Sequence, residues 1–145
     1  MITGKITVFA NGCFDVLHYG HIILLEGASK LGDRLIVALN SDKSIRELKG
    51  SDRPIYPEKH RVEMLRAIRY VDDVMVFDNE EELAYLIRAI KPDIVAKGPD
   101  WNGQPMTYRD DLDAYGGQVK IVPVDVNSTT AIIQKCIEST WGTGT

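Results

Sequence analysis

The chain has 145 residues, 44% of them apolar, which suits a single domain with a real core and argues against disorder. Its 17 Lys and Arg against 21 Asp and Glu leave a net charge of −4, so it is not expected to grip a nucleic-acid backbone. No apolar run nears the roughly 18 residues of a membrane span, the N-terminus does not read as a signal peptide, and Cys13 and Cys136 are too few for a disulfide framework.

The predicted elements alternate along this acidic chain, which is expected to be soluble and cytoplasmic with reduced thiols. Residues 6–10 form a short apolar, β-branched run that reads as a strand. Helical spacing follows over about residues 18–31, with Ile22, Leu25, Ala28 and Leu31 on one side and Gly32 as its stop. The second strand covers residues 35–39, and residues 40–53 read as a loop. A second helix runs from Glu58, just after Pro57, to about Tyr70 through Val62, Leu65 and Ile68. Residues 74–77 are the third strand. The helix over residues 80–90 opens on glutamates, which suits its dipole, and stops before Pro92. The fourth strand covers residues 94–96. A short helix over residues 108–115 ends at Gly116 and Gly117, ahead of a fifth strand at residues 119–124. The last helix starts at Ser128 as N-cap and is expected to bury Ile132, Ile133 and Cys136. Residues 141–145 are expected to fray, which leaves one domain over residues 1–140.

Each strand-like run is nearly continuous in apolar residues, as strands buried on both faces should be. Strand and helix in alternation predict an α/β fold, a Rossmann-like, doubly wound parallel five-stranded sheet with helices on both faces. Ligands in such folds sit beyond the carboxyl ends of the strands. That points to residues 11–20, 40–53, 97–103 and 125–130.

The first of these segments reads Asn11-Gly12-Cys13-Phe14-Asp15-Val16-Leu17-His18-Tyr19-Gly20-His21. It holds neither a dinucleotide fingerprint nor a P-loop. Two histidines sit three apart at a helix start, with Gly20 leaving the backbone bare between them. Free N–H groups and the positive dipole end suit an anion there, and paired imidazoles could donate to phosphate oxygens. An accidental pair on a surface helix is the bland alternative. Zinc held by Cys13, His18 and His21 would lack a fourth nearby ligand, so no metal site is predicted.

In these residues the sequence resembles the HxGH nucleotidylyltransferases, in their cytidylyltransferase-like branch. The pattern G-x-[FY]-D-x-x-H-x-G-H stands in residues 12–21, and matching pieces cover about residues 5–137. Among them are Leu48-Lys49-Gly50-Ser51-Asp52-Arg53-Pro54, Lys97-Gly98-Pro99-Asp100-Trp101 and Ser128-Thr129-Thr130-Ala131-Ile132-Ile133. These pieces are most similar to the adenylyltransferase domain of ADP-heptose synthesis, and next to the glycerol-3-phosphate cytidylyltransferases. The latter carry an arginine ahead of the Ser-Thr-Thr run, where this chain has Pro123-Val124-Asp125-Val126-Asn127.

The resemblance implies transfer of a nucleotidyl group from a nucleoside triphosphate to a phosphorylated small molecule, with release of pyrophosphate. His18, His21 and Lys49 would be catalytic, contacting the triphosphate. Asn11, Gly12, Cys13, Phe14, Asp15, Gly20, Lys97, Gly98, Asp100, Ser128, Thr129 and Thr130 would surround the nucleotide. Asp42, Arg53 and Arg61 would meet the substrate phosphate, with Arg61 matching the family's helix-start arginine and Arg53 equally readable as an exposed loop residue. Residues 42–61 hold six Lys or Arg against four Asp or Glu, a locally basic stretch in an acidic chain. Asp15 either orients backbone or metal-bound water or caps the turn. Magnesium would be held mainly by the triphosphate, since no carboxylate cage is visible. A homodimer is expected, with Tyr70 or Trp101 as interface candidates, and no nucleic-acid or membrane partner.

Overall fold

The computed structural model of the protein describes residues 4–101, 103–124 and 129–139. Its elements are β1 (Thr7–Gly12), α1 (Tyr19–Ser29), β2 (Arg34–Asn40), α2 (Asp42–Lys49), α3 (Glu58–Arg66) and β3 (Asp73–Phe77). They continue with α4 (Glu80–Ile90), β4 (Ile94–Lys97), α5 (Arg109–Ala114), β5 (Gln118–Ile121) and α6 (Thr129–Glu138). The sheet is five-stranded and parallel, in the order β3-β2-β1-β4-β5. This is the doubly wound architecture expected from the alternation. Among the described residues no helix is long and apolar enough to cross a membrane.

Strand periodicity explains the two layers. Successive side chains of a strand point to opposite faces. Val8 and Ala10 of β1 join Leu35, Val37 and Leu39 of β2 on one face, packed on Leu25 and Ala28 of α1 and Leu65 of α3. Phe9, Ile36 and Ala38 form the other face, against Leu83 and Ile87 of α4 and Leu112 of α5. At the amino ends of the strands, three carboxylates tie the sheet to its loops. Asp33, Asp72 and Asp93 accept from the N–H groups of Ile6, Leu35 and Thr7 at 2.7, 2.7 and 2.8 Å. The opposite, carboxyl end is thereby left on a rigid frame.

Four expectations are corrected. Strands β3 and β5 are edges and not buried on both faces, with Val76 and Ile121 exposed. The stretch read as a loop after β2 contains helix α2, which caps its start with Ser41, whose hydroxyl accepts from Ser44 N–H at 3.1 Å. Lys49 is therefore the last residue of a helix and not part of a loop. Cys136, expected in the core, is exposed on α6. Neither aromatic proposed for a subunit interface lies on an exposed patch: Tyr70 packs partly buried on the core, and Trp101 lines the cleft described below. The fraying predicted for residues 141–145 and the N-cap role of Ser128 lie outside the described residues.

Candidate active site

A cleft of about 670 Å³ opens over the carboxyl ends of β1 and β4, the point where the strand order reverses. His18, His21, Lys49, Arg53, Lys97 and Thr130 all face it, on five different segments of the chain.

The two histidines are held by the start of α1 itself. His18 is the N-cap, and its Nδ1 accepts from Gly20 N–H at 3.0 Å. His21 returns the bond, its Nδ1 accepting from His18 N–H at 3.1 Å. This is a capping box built from two imidazoles. With both Nδ1 atoms accepting, each neutral ring carries its proton on Nε2, so two ring donors are left for a ligand. The rings lie 4.0 Å apart, and Phe14 braces His21 at 5.3 Å. Burial first, then the neighbouring His18 and Lys49, lowers the pKa of His21 to about 4. Burial also lowers that of His18. Both rings are therefore neutral at pH 7 before any ligand arrives.

That shift has a consequence for stability. Between pH 6.5 and about 4 the unfolded chain protonates His21 and the folded chain does not. Stability is thus full above pH 6.5 and falls as the pH drops towards 4. Calorimetric Tm is expected to decline between pH 6.5 and 5, and His21→Gln should flatten that slope. An unchanged slope would contradict the assignment.

Lys49 is exposed at the cleft edge, at the end of α2, while Arg53 sits on the crossing between α2 and α3. Arg53 donates from Nε to the Asp15 carboxylate at 3.3 Å, and its buried Nη2 has no partner among the described residues. Lys97, at the end of β4, donates to Asn11 Oδ1 at 3.2 Å and lies 5.7 Å from the centre of the Tyr108 ring. Burial lowers its pKa. Gly98 follows closely, where a Cβ would lie 3.1 Å from Asp100 Oδ1. Burial raises the pKa of the Cys13 thiol, whose Sγ is 3.7 Å from Asn40 Oδ1. It lines the cleft wall, and the raised pKa disfavours its thiolate form.

Three predicted contacts have other employment. Arg61 is 1% exposed and does not line the cleft. Its guanidinium donates to Tyr56 O, Cys13 O, Asn40 O and the Asp42 carboxylate at 2.8–3.0 Å. Asp42 also accepts from Glu58 N–H, so this pair clamps the starts of α2 and α3 and commits all three guanidinium nitrogens to protein acceptors away from the cleft. Thr129 lines the cleft as expected but turns its hydroxyl inward to Asp15 O and Val16 O, at 2.8 and 3.2 Å. Thr130 is the exposed hydroxyl of the helix start, and Ser128 lies outside the described residues. Leu24, Gln104 and Val124 line the cleft without having been read from sequence. Nothing in their local pattern marks them, since they reach the site by folding alone.

A family model described as cytidylyltransferase-like matches residues 9–140. Bifunctional protein HldE of Koribacter versatilis (strain Ellin345) is 50% identical over 129 residues, 88% of this chain and 26% of that protein. Its namesake in Campylobacter fetus subsp. fetus (strain 82-40) is 46% identical over 134 residues, 92% of this chain and 28% of that protein. The chain thus spans about a quarter of the length of these relatives. Among solved structures, the lipopolysaccharide core biosynthesis protein from Thermoplasma volcanium GSS1 is similar at TM-score 0.69 and 32% identity, over 86% of this chain and all of that one. A pantoate-beta-alanine ligase from Francisella tularensis, 17% identical at TM-score 0.58 over 88% of this chain and 62% of its own, shares the fold. The chain belongs to the cytidylyltransferase-like family of nucleotidyltransferases.

Proposed function

We propose that the chain is an adenylyltransferase that moves AMP from ATP to a sugar 1-phosphate, D-glycero-D-manno-heptose 1-phosphate, giving an ADP-sugar and pyrophosphate. The observation that carries the transferase reading is the juxtaposition in one cleft of two neutral imidazoles at a helix start with Lys49 and Arg53. Its adenylyl and heptose parts rest on the resemblance of the surrounding motifs to ADP-heptose synthesis, which the relatives named HldE support. The acceptor's phosphate oxygen attacks the α-phosphorus, a new P–O bond forms, and the bond to the bridging oxygen of pyrophosphate breaks. No side chain need become covalently attached. Catalysis then rests on placing the two phosphates in line and stabilising the charge that gathers between them.

His18 and His21 would donate from Nε2 to phosphate oxygens, and Lys49 would neutralise the departing pyrophosphate. The N-terminus of α6, with Thr130, offers backbone donors to the triphosphate. Asn11, Lys97, Gly98 and Asp100 would border the nucleotide. Magnesium fits as a companion of the triphosphate, held by phosphate oxygens and water. No group of three His, Cys, Asp or Glu is gathered to hold a metal among the described residues, and the Asp15 carboxylate is already taken by protein donors.

Incubation with magnesium, ATP or CTP, and either heptose 1-phosphate or glycerol 3-phosphate tests the proposal. ADP-heptose with stoichiometric pyrophosphate is the expected product. CDP-glycerol as the sole product would overturn the base and acceptor while leaving the transfer chemistry standing. Nucleotide binding with no pyrophosphate from any pair would mean a sensor or scaffold instead.

A further inference from the structure

Asp15 stands out within the cleft wall. It is 2% exposed, and its carboxylate accepts from Ile55 N–H at 2.6 Å, Tyr56 N–H at 2.9 Å and Arg53 Nε at 3.3 Å. Its backbone carbonyl points elsewhere and accepts from the Thr129 hydroxyl at the start of α6. One residue therefore joins three segments that are far apart in sequence. The backbone is bent to do so: Phe14 has φ 48° and Val16 has φ 56°, on either side of Asp15. A β-branched residue in the left-handed region is disfavoured, and such conformations persist where the surroundings impose them.

We propose that Asp15 is a positioning residue whose carboxylate fixes the strap of residues 53–56, so that Arg53 presents its Nη2 to the anionic group of the acceptor. The clause about the acceptor rests on the transferase reading above. Arg53 has a side chain 14% exposed and an Nη2 that is buried without a protein partner among the described residues. A buried cationic donor in that state is satisfied by an incoming anion. Held at Nε by Asp15, the planar guanidinium cannot swing away, and its orientation is set before the acceptor binds. The two ends of Asp15 serve different walls. Removing the carboxylate frees the strap, while the carbonyl still holds Thr129 on the nucleotide side.

Kinetics of Asp15→Asn, Arg53→Ala and the double variant, with acceptor and triphosphate varied in turn, test this. Asp15→Asn is expected to raise the acceptor KM about tenfold while the triphosphate KM stays within about twofold. Because it acts through Arg53, the double variant should be no worse than Arg53→Ala alone. Independent, multiplying effects would overturn the proposal, as would a lower Tm with both KM values unchanged. Amide exchange at Ile55 and Tyr56 needs no substrate and should quicken by about tenfold or more in Asp15→Asn, with Gly20 unaffected. Unchanged exchange also overturns it. If Asp15→Asn does not fold, Asp15→Glu, which keeps the charge and displaces the strap, carries the same cycle. A wild-type chain that transfers to no acceptor would defeat the transferase reading, and the exchange rates would still decide whether Asp15 fixes the strap.

Discussion

His21→Ala is expected to lower kcat by about 10²-fold or more while the protein stays folded. The rate effect follows from geometry. The Nδ1 of His21 is engaged by the His18 N–H, so its Nε2–H is aimed by a closed loop of hydrogen bonds and two flanking rings. A donor fixed in this way need not reorganise as charge builds on the α-phosphate. Loss of a single preorganised donor of that kind removes about 10²–10³ in turnover. His18 is more exposed and braced on one side only by His21, so a smaller effect is expected of it. The structural penalty of His21→Ala is the lost cap acceptor, about 1 kcal/mol, against a typical total stability of 5–15 kcal/mol. His21→Asn, whose side-chain oxygen can still accept from His18 N–H, separates the cap from the chemistry. It should regain stability but not turnover. Pyrophosphate release measured beside thermal unfolding decides the matter, and near-normal turnover in the alanine variant would remove His21 from the reaction.

What could be read from sequence was what periodicity and local chemistry encode. Strands β1, β2 and β4 were legible because they are buried on both faces and so are almost purely apolar. The helix over residues 80–90 was legible, since glutamates in its first turn and Pro92 beyond its end mark both ends. Strand β3 is largely apolar yet lies at a sheet edge, which depends on strand order and not on composition. Strand β5, by contrast, alternates Gln118 and Lys120 with Val119 and Ile121, the pattern of a strand that is not buried on both faces. Helix α2 escaped notice because eight residues hold a single buried aliphatic side chain, Ile45, too few for a period to emerge. Ser41-Asp42 at its start and Lys49-Gly50 at its end were the usable signals. Cys136 was placed in the core by helical spacing, but α6 packs by its first turn and leaves that position to solvent. Within the site, the histidines were legible because their partners lie three residues away. The tasks of Asp15, Arg61 and Thr129 depend on partners up to 114 residues distant, which no local pattern announces.

Arg61 shows what such a distant partnership is worth. Sequence alone offers it as a phosphate ligand, yet in the fold its side chain is sealed from solvent beside the half-exposed carboxylate of Asp42. Arg61→Ala would strip partners from the carbonyls of Cys13, Asn40 and Tyr56, empty a side-chain volume and leave Asp42 unpaired. Breaking a buried pair in this way typically costs about 3–5 kcal/mol. The lower part of that range applies here, because Asp42 can still be reached by water. Even so, the loss is a large share of a stability of about 5–15 kcal/mol, and the urea midpoint should fall accordingly. Lysine rescues little, since three donors on one nitrogen cannot span acceptors arranged for a planar fork. The three carbonyls belong to the ends of β1 and β2 and to the strap before α3, so the same change should loosen the strap that carries Arg53. The expected pattern is therefore a drop in stability first and a raised acceptor KM as its consequence, both reduced at low temperature where the fold is kept. A variant with unchanged urea midpoint and a raised acceptor KM would return Arg61 to the role of a direct phosphate ligand.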